Sequence, residues 1–143
     1  MLNGIPAILS PNLMKLIMEM GHGDELVLAD GNFPAVSNAA RLVRCDGHGV
    51  AGILDALLKF FPLDAYVDAP AGIMQVVEGD DTQPEIWNTY REILCRHEPE
   101  WKEFEFIERF EFYERARKAF GVVATSESAL YANIILKKGV VTA

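Results

Sequence analysis

The chain of 143 residues carries 13 Lys+Arg against 21 Asp+Glu, a formal net charge of −8, with 50% hydrophobic and 24% charged residues. This length predicts one domain, because a second core would leave each half marginal, and the composition is that of a globular protein and excludes intrinsic disorder. The acidic balance, with no Lys/Arg cluster, argues against nucleic-acid and anionic-membrane partners, which need a concentrated positive field, and disfavours strongly anionic small substrates.

Ser10-Pro11 opens the first predicted helix, a hydroxyl at the N-cap and a proline at the first helical position, and Leu13, Leu16, Ile17 and Met20 form its apolar stripe. Gly21 is placed to end it in the left-handed conformation. Glu25 to Ala29 is a short β-prone run, and Asp30-Gly31-Asn32-Phe33-Pro34 has the turn chemistry of a loop leaving a strand. Arg41 to Cys45 reads as a second strand. From Val50 the apolar residues Ile53, Leu54, Leu57, Leu58 and Phe61 recur at helical spacing until Pro62 breaks the pattern.

Ile73 to Val77 reads as a third strand, and Thr82-Gln83-Pro84-Glu85 has the form of a capping box opening a helix to about Arg96, with Trp87, Tyr90 and Leu94 on one face. Phe104 and Phe106 alternate with Glu103, Glu105 and Glu108, the two-residue period of a half-buried strand. Phe112, Ala116, Ala119 and Phe120 mark the inner face of a charged helix, Gly121 to Thr125 returns to strand, and Ile134 to Leu136 is the last strand before Lys137-Lys138-Gly139. Alternating helices and strands define an α/β layered domain with a mostly parallel sheet. Ligands of such folds gather at the carboxyl ends of strands, and Asp30 holds that kind of position.

Cys45 and Cys95 are too few and too far apart for a disulfide framework or a zinc site and read as buried or partly buried thiols. The start, MLNGIPAILSPN, lacks a basic segment followed by a long apolar one, so no secretory signal is expected. The longest apolar stretch, Ile53 to Phe61, is broken by Asp55 and Lys59 and falls far short of the ~20 residues a membrane span needs. A cytoplasmic location is the expectation.

Gly47-His48-Gly49-Val50-Ala51-Gly52 matches G-x-G-x-x-G, with Asp68 downstream. It follows the second strand instead of the first, and the chain has little room for both a dinucleotide and a substrate domain, so it reads as a glycine-rich turn and helix start. His22, between Gly21 and Gly23, lies on a tight connection open to a ligand, where it can serve catalysis or simply partner a helix C-terminus. A metal site from His22, Asp24 and His48 has no regular ligand spacing behind it, and His97 beside Glu98 reads as a surface residue. In the run Glu103 to Glu114, Arg109 and Tyr113 stand out as hydrogen-bond donors at a strand-to-helix transition; Tyr131-Ala132-Asn133 offers a second phenol and an amide before the last strand. Together they suggest a small polar ligand.

With these residues assembled, the chain resembles the RbsD/FucU sugar mutarotase family, in particular its fucose branch. The resemblance covers nearly the whole length: SPNLMKLIMEMGHGDE at 10–25, LADGNFP at 28–34, RCDG at 44–47, FPLDAYV at 61–67, RFEFYERARKAF at 109–120, VVAT at 122–125 and LYANIILKKGV at 130–140. It implies a three-layer α/β/α domain over residues 1–143 with a mostly parallel but mixed sheet. The implied activity is interconversion of the α and β anomers of a free pyranose, L-fucose foremost, with no metal or organic cofactor. His22 matches the family's catalytic histidine. Asp30, Arg109, Tyr131 and Asn133 match its sugar-contacting positions, and Asp64 and Tyr113 match residues implicated in the fucose branch.

Two departures stand near the implied site: Ala132 replaces a usual glycine, which would matter if that position needed a positive φ, and Gly31 holds a variable position; Asn32 in turn replaces a histidine found in some relatives. In the implied chemistry His22 donates a proton to the ring oxygen, Asp30 orients it or holds a sugar hydroxyl, and Arg109, Tyr113, Tyr131 and Asn133 fix the remaining hydroxyls. A tyrosine or a bound water takes the anomeric proton. Pyranose-to-furanose conversion of D-ribose and non-catalytic sugar binding in support of transport are the alternatives. The resemblance also implies a ring-like homo-oligomer, a decamer, with sites completed by neighbouring subunits.

Overall fold

Ser10 Oγ accepts the backbone N–H of Leu13 at 3.1 Å, and with Pro11 in the first turn this starts helix α1, Pro11–Glu19, where the sequence predicts it. In the computed structural model, which describes residues 1–143, the chain continues through β1 (Glu25–Ala29), α2 (Ala35–Asn38), β2 (Leu42–Cys45), α3 (Val50–Leu57) and β3 (Ala71–Met74). It ends through α4 (Ile86–His97), β4 (Glu105–Ile107), α5 (Arg109–Lys118), β5 (Gly121–Thr125) and β6 (Ile134–Lys137). The strands form one sheet in the order β2-β5-β1-β6-β3-β4. β1 pairs parallel with β5, β2 with β5 and β3 with β4, whereas β6 runs antiparallel to both β1 and β3. The sheet is therefore mixed, with β6 as its one reversed strand.

Side-chain alternation explains the layers. Leu26, Leu28, Ile73, Val123, Ile134 and Leu136 point to one face, where they join residues of α1, α3 and α4 in the larger core. Val27, Ala29, Val122, Ala124 and Ile135 point to the other, where Ala35 of α2 and Phe112 and Ala116 of α5 cover them. Strands buried on both sides read as the continuous apolar runs seen in the sequence.

Several local expectations are corrected. Met20 leaves α1 in an extended conformation, and the left-handed residue is Gly23, at φ 85°, instead of Gly21. The third strand is Ala71–Met74, not Ile73 to Val77. Thr82 does not cap α4; its N–H and hydroxyl are both held by Asp80, and α4 starts at Ile86 without a side-chain cap. Phe106 is largely exposed, while Phe104 and Ile107 are buried. His97 is not a free surface residue: its Nε2 lies 2.7 Å from Asp55 of α3, and its side chain is 16% exposed. Cys45 is buried as expected, but Cys95 is exposed.

Candidate active site

At the carboxyl ends of β1, β3 and β4, around the amino end of β6, the chain forms an open crevice of about 270 Å³, near the lower end of the ~300–1000 Å³ usual for small-molecule sites. The reversed β6 lies between β1 and β3, so the loops on either side part at that point, as they do at ligand crevices of open α/β sheets. Asp30, Arg109, Tyr113, Tyr131 and Asn133 all line it. The structure thus gathers five of the seven residues that the resemblance singles out.

Asp30 follows β1 directly and is buried. Its backbone N–H donates to Asn133 Oδ1 at 2.7 Å, which identifies that atom as the amide oxygen and leaves the Asn133 nitrogen without a partner in the chain. One Asp30 carboxylate oxygen accepts the Asn32 N–H at 3.0 Å. Burial pushes the Asp30 carboxyl above its ordinary value and the Glu127 charge adds to this, outweighing the backbone N–H groups of Asn32, Phe33 and Ala132.

The folded state therefore holds this proton more tightly than the unfolded chain does. Its stabilising contribution is complete below the ordinary carboxyl value and is lost as pH rises through the raised folded one. Asp30→Asn, which cannot ionise, is expected to gain melting temperature relative to wild type between pH 4 and pH 7 while ligand affinity falls about tenfold, as for a lost charge-assisted hydrogen bond. Thermal unfolding at both pH values and sugar titration check the two halves separately.

Tyr131 is the single non-glycine residue with positive φ, at 55°. The Trp87 indole N–H donates to its carbonyl at 2.7 Å, and the buried Tyr90 hydroxyl donates to the next carbonyl, that of Ala132, also at 2.7 Å. Helix α4 thus clamps the turn into β6 from below. Ala132 itself is buried with an ordinary φ, so the methyl group that replaces the usual glycine is accommodated without backbone strain. Arg109 Nε donates to the Tyr113 hydroxyl one helical turn on, at 3.3 Å, and the Tyr113 ring packs on Phe33 at 5.6 Å.

His22 and Asp64 lie elsewhere. His22 precedes β1 and Asp30 follows it, and five extended residues span about 17 Å at the usual ~3.3 Å rise, so the two face opposite edges of the sheet. The carboxylate beside His22 is Asp64, whose Oδ1 is 3.1 Å from His22 Nε2 and also accepts the Tyr66 N–H at 3.0 Å. Within one chain Asp30 therefore does not orient His22; Asp64 does.

Asp64 is held against the end of β6 by its N–H bond to the Lys137 carbonyl at 3.0 Å. A side chain at Gly139 would meet the Leu63 carbonyl oxygen at 2.5 Å, so only glycine lets the two segments approach this closely. Burial works against ionisation of Asp64, but the Tyr66 N–H and His22 prevail and hold its carboxyl below the ordinary value. An ionised carboxylate only accepts, so Nε2 of His22 carries a proton and Nδ1 is the nitrogen left to exchange one. The His22 side chain is 45% exposed, within reach of an incoming group.

The glycine-rich segment is not a phosphate cradle. The Val50 N–H at the start of α3 donates to the carboxylate of Glu127, so the chain's own anion takes the place a phosphate would occupy. His48 follows β2, at the edge opposite His22 and Asp24, so those residues do not converge on a metal.

Sequence reasoning missed Met74, Val77, Leu130 and Asp80, which complete the crevice wall. The apolar ones look like core residues in sequence. Asp80 follows a glycine between a strand and a helix, a turn signal that would have marked it as a loop residue at the carboxyl edge.

An open α/β sheet with a polar, aromatic-walled crevice at its reversed strand and a histidine–carboxylate pair at the far edge defines a small-ligand domain equipped for proton transfer. Residues 3–141 match the RbsD / FucU transport protein family, and the chain belongs to that family. It is 51% identical to the fucose mutarotase of Homo sapiens, over 97% of this chain and 94% of that protein. The fold is similar to that of the Streptococcus pneumoniae fucose mutarotase solved in complex with L-fucose, with a TM-score of 0.94 and 52% identity, covering 99% of this chain and 100% of that one. Bacillus subtilis RbsD, solved with D-ribose, shares the fold at a TM-score of 0.72 and 21% identity, covering 94% of this chain and 95% of that one. No helix is long and apolar enough to cross a membrane.

Proposed function

We propose that the protein is a cytoplasmic fucose mutarotase that interconverts the α and β anomers of L-fucose by acid–base ring opening and reclosure, working as a homo-oligomer, a decamer. The observation that carries this reading is the likeness over the whole chain to a fucose mutarotase solved with L-fucose, at 52% identity. The crevice suits that sugar. Asp30, Arg109, Tyr131 and Asn133 supply donors and acceptors for hydroxyl groups, and Phe33, Met74, Val77 and Leu130 supply apolar surface for the methyl group that a 6-deoxy sugar carries in place of a hydroxyl. In an acidic protein of net charge −8, a lone crevice arginine fits a neutral sugar better than a sugar phosphate.

Ring opening moves protons only. The C1–O5 bond breaks as O5 gains a proton and the anomeric hydroxyl loses one, leaving an aldehyde; rotation about C1–C2 and reclosure on the other carbonyl face give the second anomer. His22, with Nε2 fixed by Asp64, is the donor to O5 through Nδ1. Because His22 and the crevice lie at opposite ends of β1, the complete site takes His22 and Asp64 from a neighbouring copy. Exposed apolar side chains flank both ends: Met18, Phe60 and Val141 share a depression with Met20, two residues before His22, while Leu130 lines the crevice and Phe110 packs against the crevice residue Tyr113. A contact between one end and the other is head-to-tail, the kind of interface that the proposed decamer would close into a ring.

Saturation-transfer NMR on α/β mixtures of L-fucose, D-galactose and D-ribose tests the proposal. Fucose is expected to exchange fastest; faster exchange of ribose would move the protein to the ribose reading, and binding without faster exchange of any sugar would make it a carrier.

A further inference from the structure

The acceptor of the anomeric proton can be read from the crevice. Tyr131 points its hydroxyl at Asp80, Oη to Oδ2 2.5 Å, while a second bond, from the Val77 N–H, is long at 3.5 Å. A carboxylate accepts only, so the Tyr131 proton lies on the Asp80 side and the phenolic oxygen keeps lone pairs free. Asp80 is itself fixed: its other oxygen, Oδ1, takes both the N–H and the hydroxyl of Thr82. The Tyr131 backbone is also fixed, at positive φ with its carbonyl bonded by the Trp87 indole, so the ring is carried on an anchored stem. Both residues line the crevice with Asp30 and Asn133.

We propose that Asp80 is a positioning residue that locks the Tyr131 hydroxyl as a proton relay, so that Tyr131 Oη accepts the anomeric proton while passing its own to Asp80. The inference rests on the mutarotase reading and on His22 from the neighbouring copy as donor. As the sugar O1–H bond breaks, Oη gains that proton and the Asp80 carboxylate gains the phenol's. At the other end the protonated His22 gives its proton to O5, the C1–O5 pair goes to O5, and C1=O1 forms. Charge balances: an imidazolium and a carboxylate become an imidazole and a carboxylic acid, and reclosure reverses each transfer.

No phenolate forms at any point, which suits the environment. The Thr82 hydroxyl, followed by the Tyr131 phenol, holds the Asp80 carboxyl below its ordinary value, so it starts ionised. The hydrogen bond to Asp80 raises Tyr131 above the usual tyrosine value, so the phenol keeps a proton throughout.

The test is a double-mutant cycle read by saturation-transfer NMR at several fucose concentrations, in the intact oligomer. Asp80→Asn keeps the shape but cannot take a proton; its kcat is expected to fall about 10²-fold with KM within threefold of wild type, at the low end of positioned acid–base contributions. Tyr131→Phe is expected to lose at least as much, and the double variant to be no slower than Tyr131→Phe alone. Losses that multiply in the double variant, or an effect of Asp80→Asn confined to KM, would each overturn the relay. An active wild type with an unaffected Asp80→Asn refutes the relay alone, whereas a wild type that fails to accelerate exchange refutes the mutarotase reading and the relay with it.

Discussion

His22→Ala is expected to lower the catalysed exchange of L-fucose anomers by about 10²- to 10⁴-fold, the usual worth of a positioned acid–base group. The fold should survive the change. The His22 side chain is 45% exposed and belongs to neither hydrophobic core, and Asp64 keeps its bond from the Tyr66 N–H when the imidazole is gone. Thermal unfolding alongside the NMR exchange rate separates loss of chemistry from loss of structure. A variant that exchanges fucose at the wild-type rate removes His22 from the mechanism.

The second large effect is a recovery. His22→Ala and Asp30→Asn each damage one half of the site, and the halves lie at opposite ends of β1. If every working site draws His22 from one copy and Asp30 from its neighbour, an oligomer assembled from equal amounts of the two variants, assayed at fucose well below KM where the weakened affinity of Asp30→Asn lowers its rate about tenfold, regains about a quarter of the wild-type rate, because half the copies supply an intact donor and half an intact crevice. Co-expression of the two variants with distinguishable tags, followed by isolation of the mixed oligomer, gives the sample to assay. A mixed oligomer no more active than the two variants alone would place both halves of the site within one chain.

The same two residues show what the sequence carries and what it hides. Glu25–Ala29 and Gly121–Thr125 are strands with the bounds expected, because a central strand buried on both faces must be a short apolar run between turns. The cap at Ser10 and the buried face of α5 at Phe112 and Ala116 were legible for similarly local reasons. His22 and Asp30, eight positions apart, look like neighbours in sequence. A strand between two residues sends them to opposite edges of a sheet, so the separation was implicit in the five-residue run itself. Pairing His22 with Asp64, 42 positions away, was not; it depends on β6 and Gly139 drawing Leu63 and Asp64 to the amino end of β1.

The crevice wall was hidden for a different reason. Val76 and Val77 extend the apolar pattern of the third strand, but the chain leaves the sheet after Met74, and Val77 faces the crevice instead of the core. Hydrophobicity marks removal from water and does not distinguish a core from a binding wall. Thr82 shows the limit of motif spacing: a hydroxyl three positions before a glutamate fits a capping box, yet Asp80 two positions earlier takes the hydroxyl first, and that competition fixes the carboxylate facing Tyr131.

The protein is expected to catalyse proton transfer on a free sugar and to do more than bind it. Saturation-transfer NMR on L-fucose at equilibrium, with the wild-type protein at substoichiometric concentration, separates catalysis from binding. Irradiation of one anomeric resonance is predicted to deplete the other at a rate proportional to protein concentration. An exchange rate that matches the protein-free sugar at every concentration of protein would contradict it.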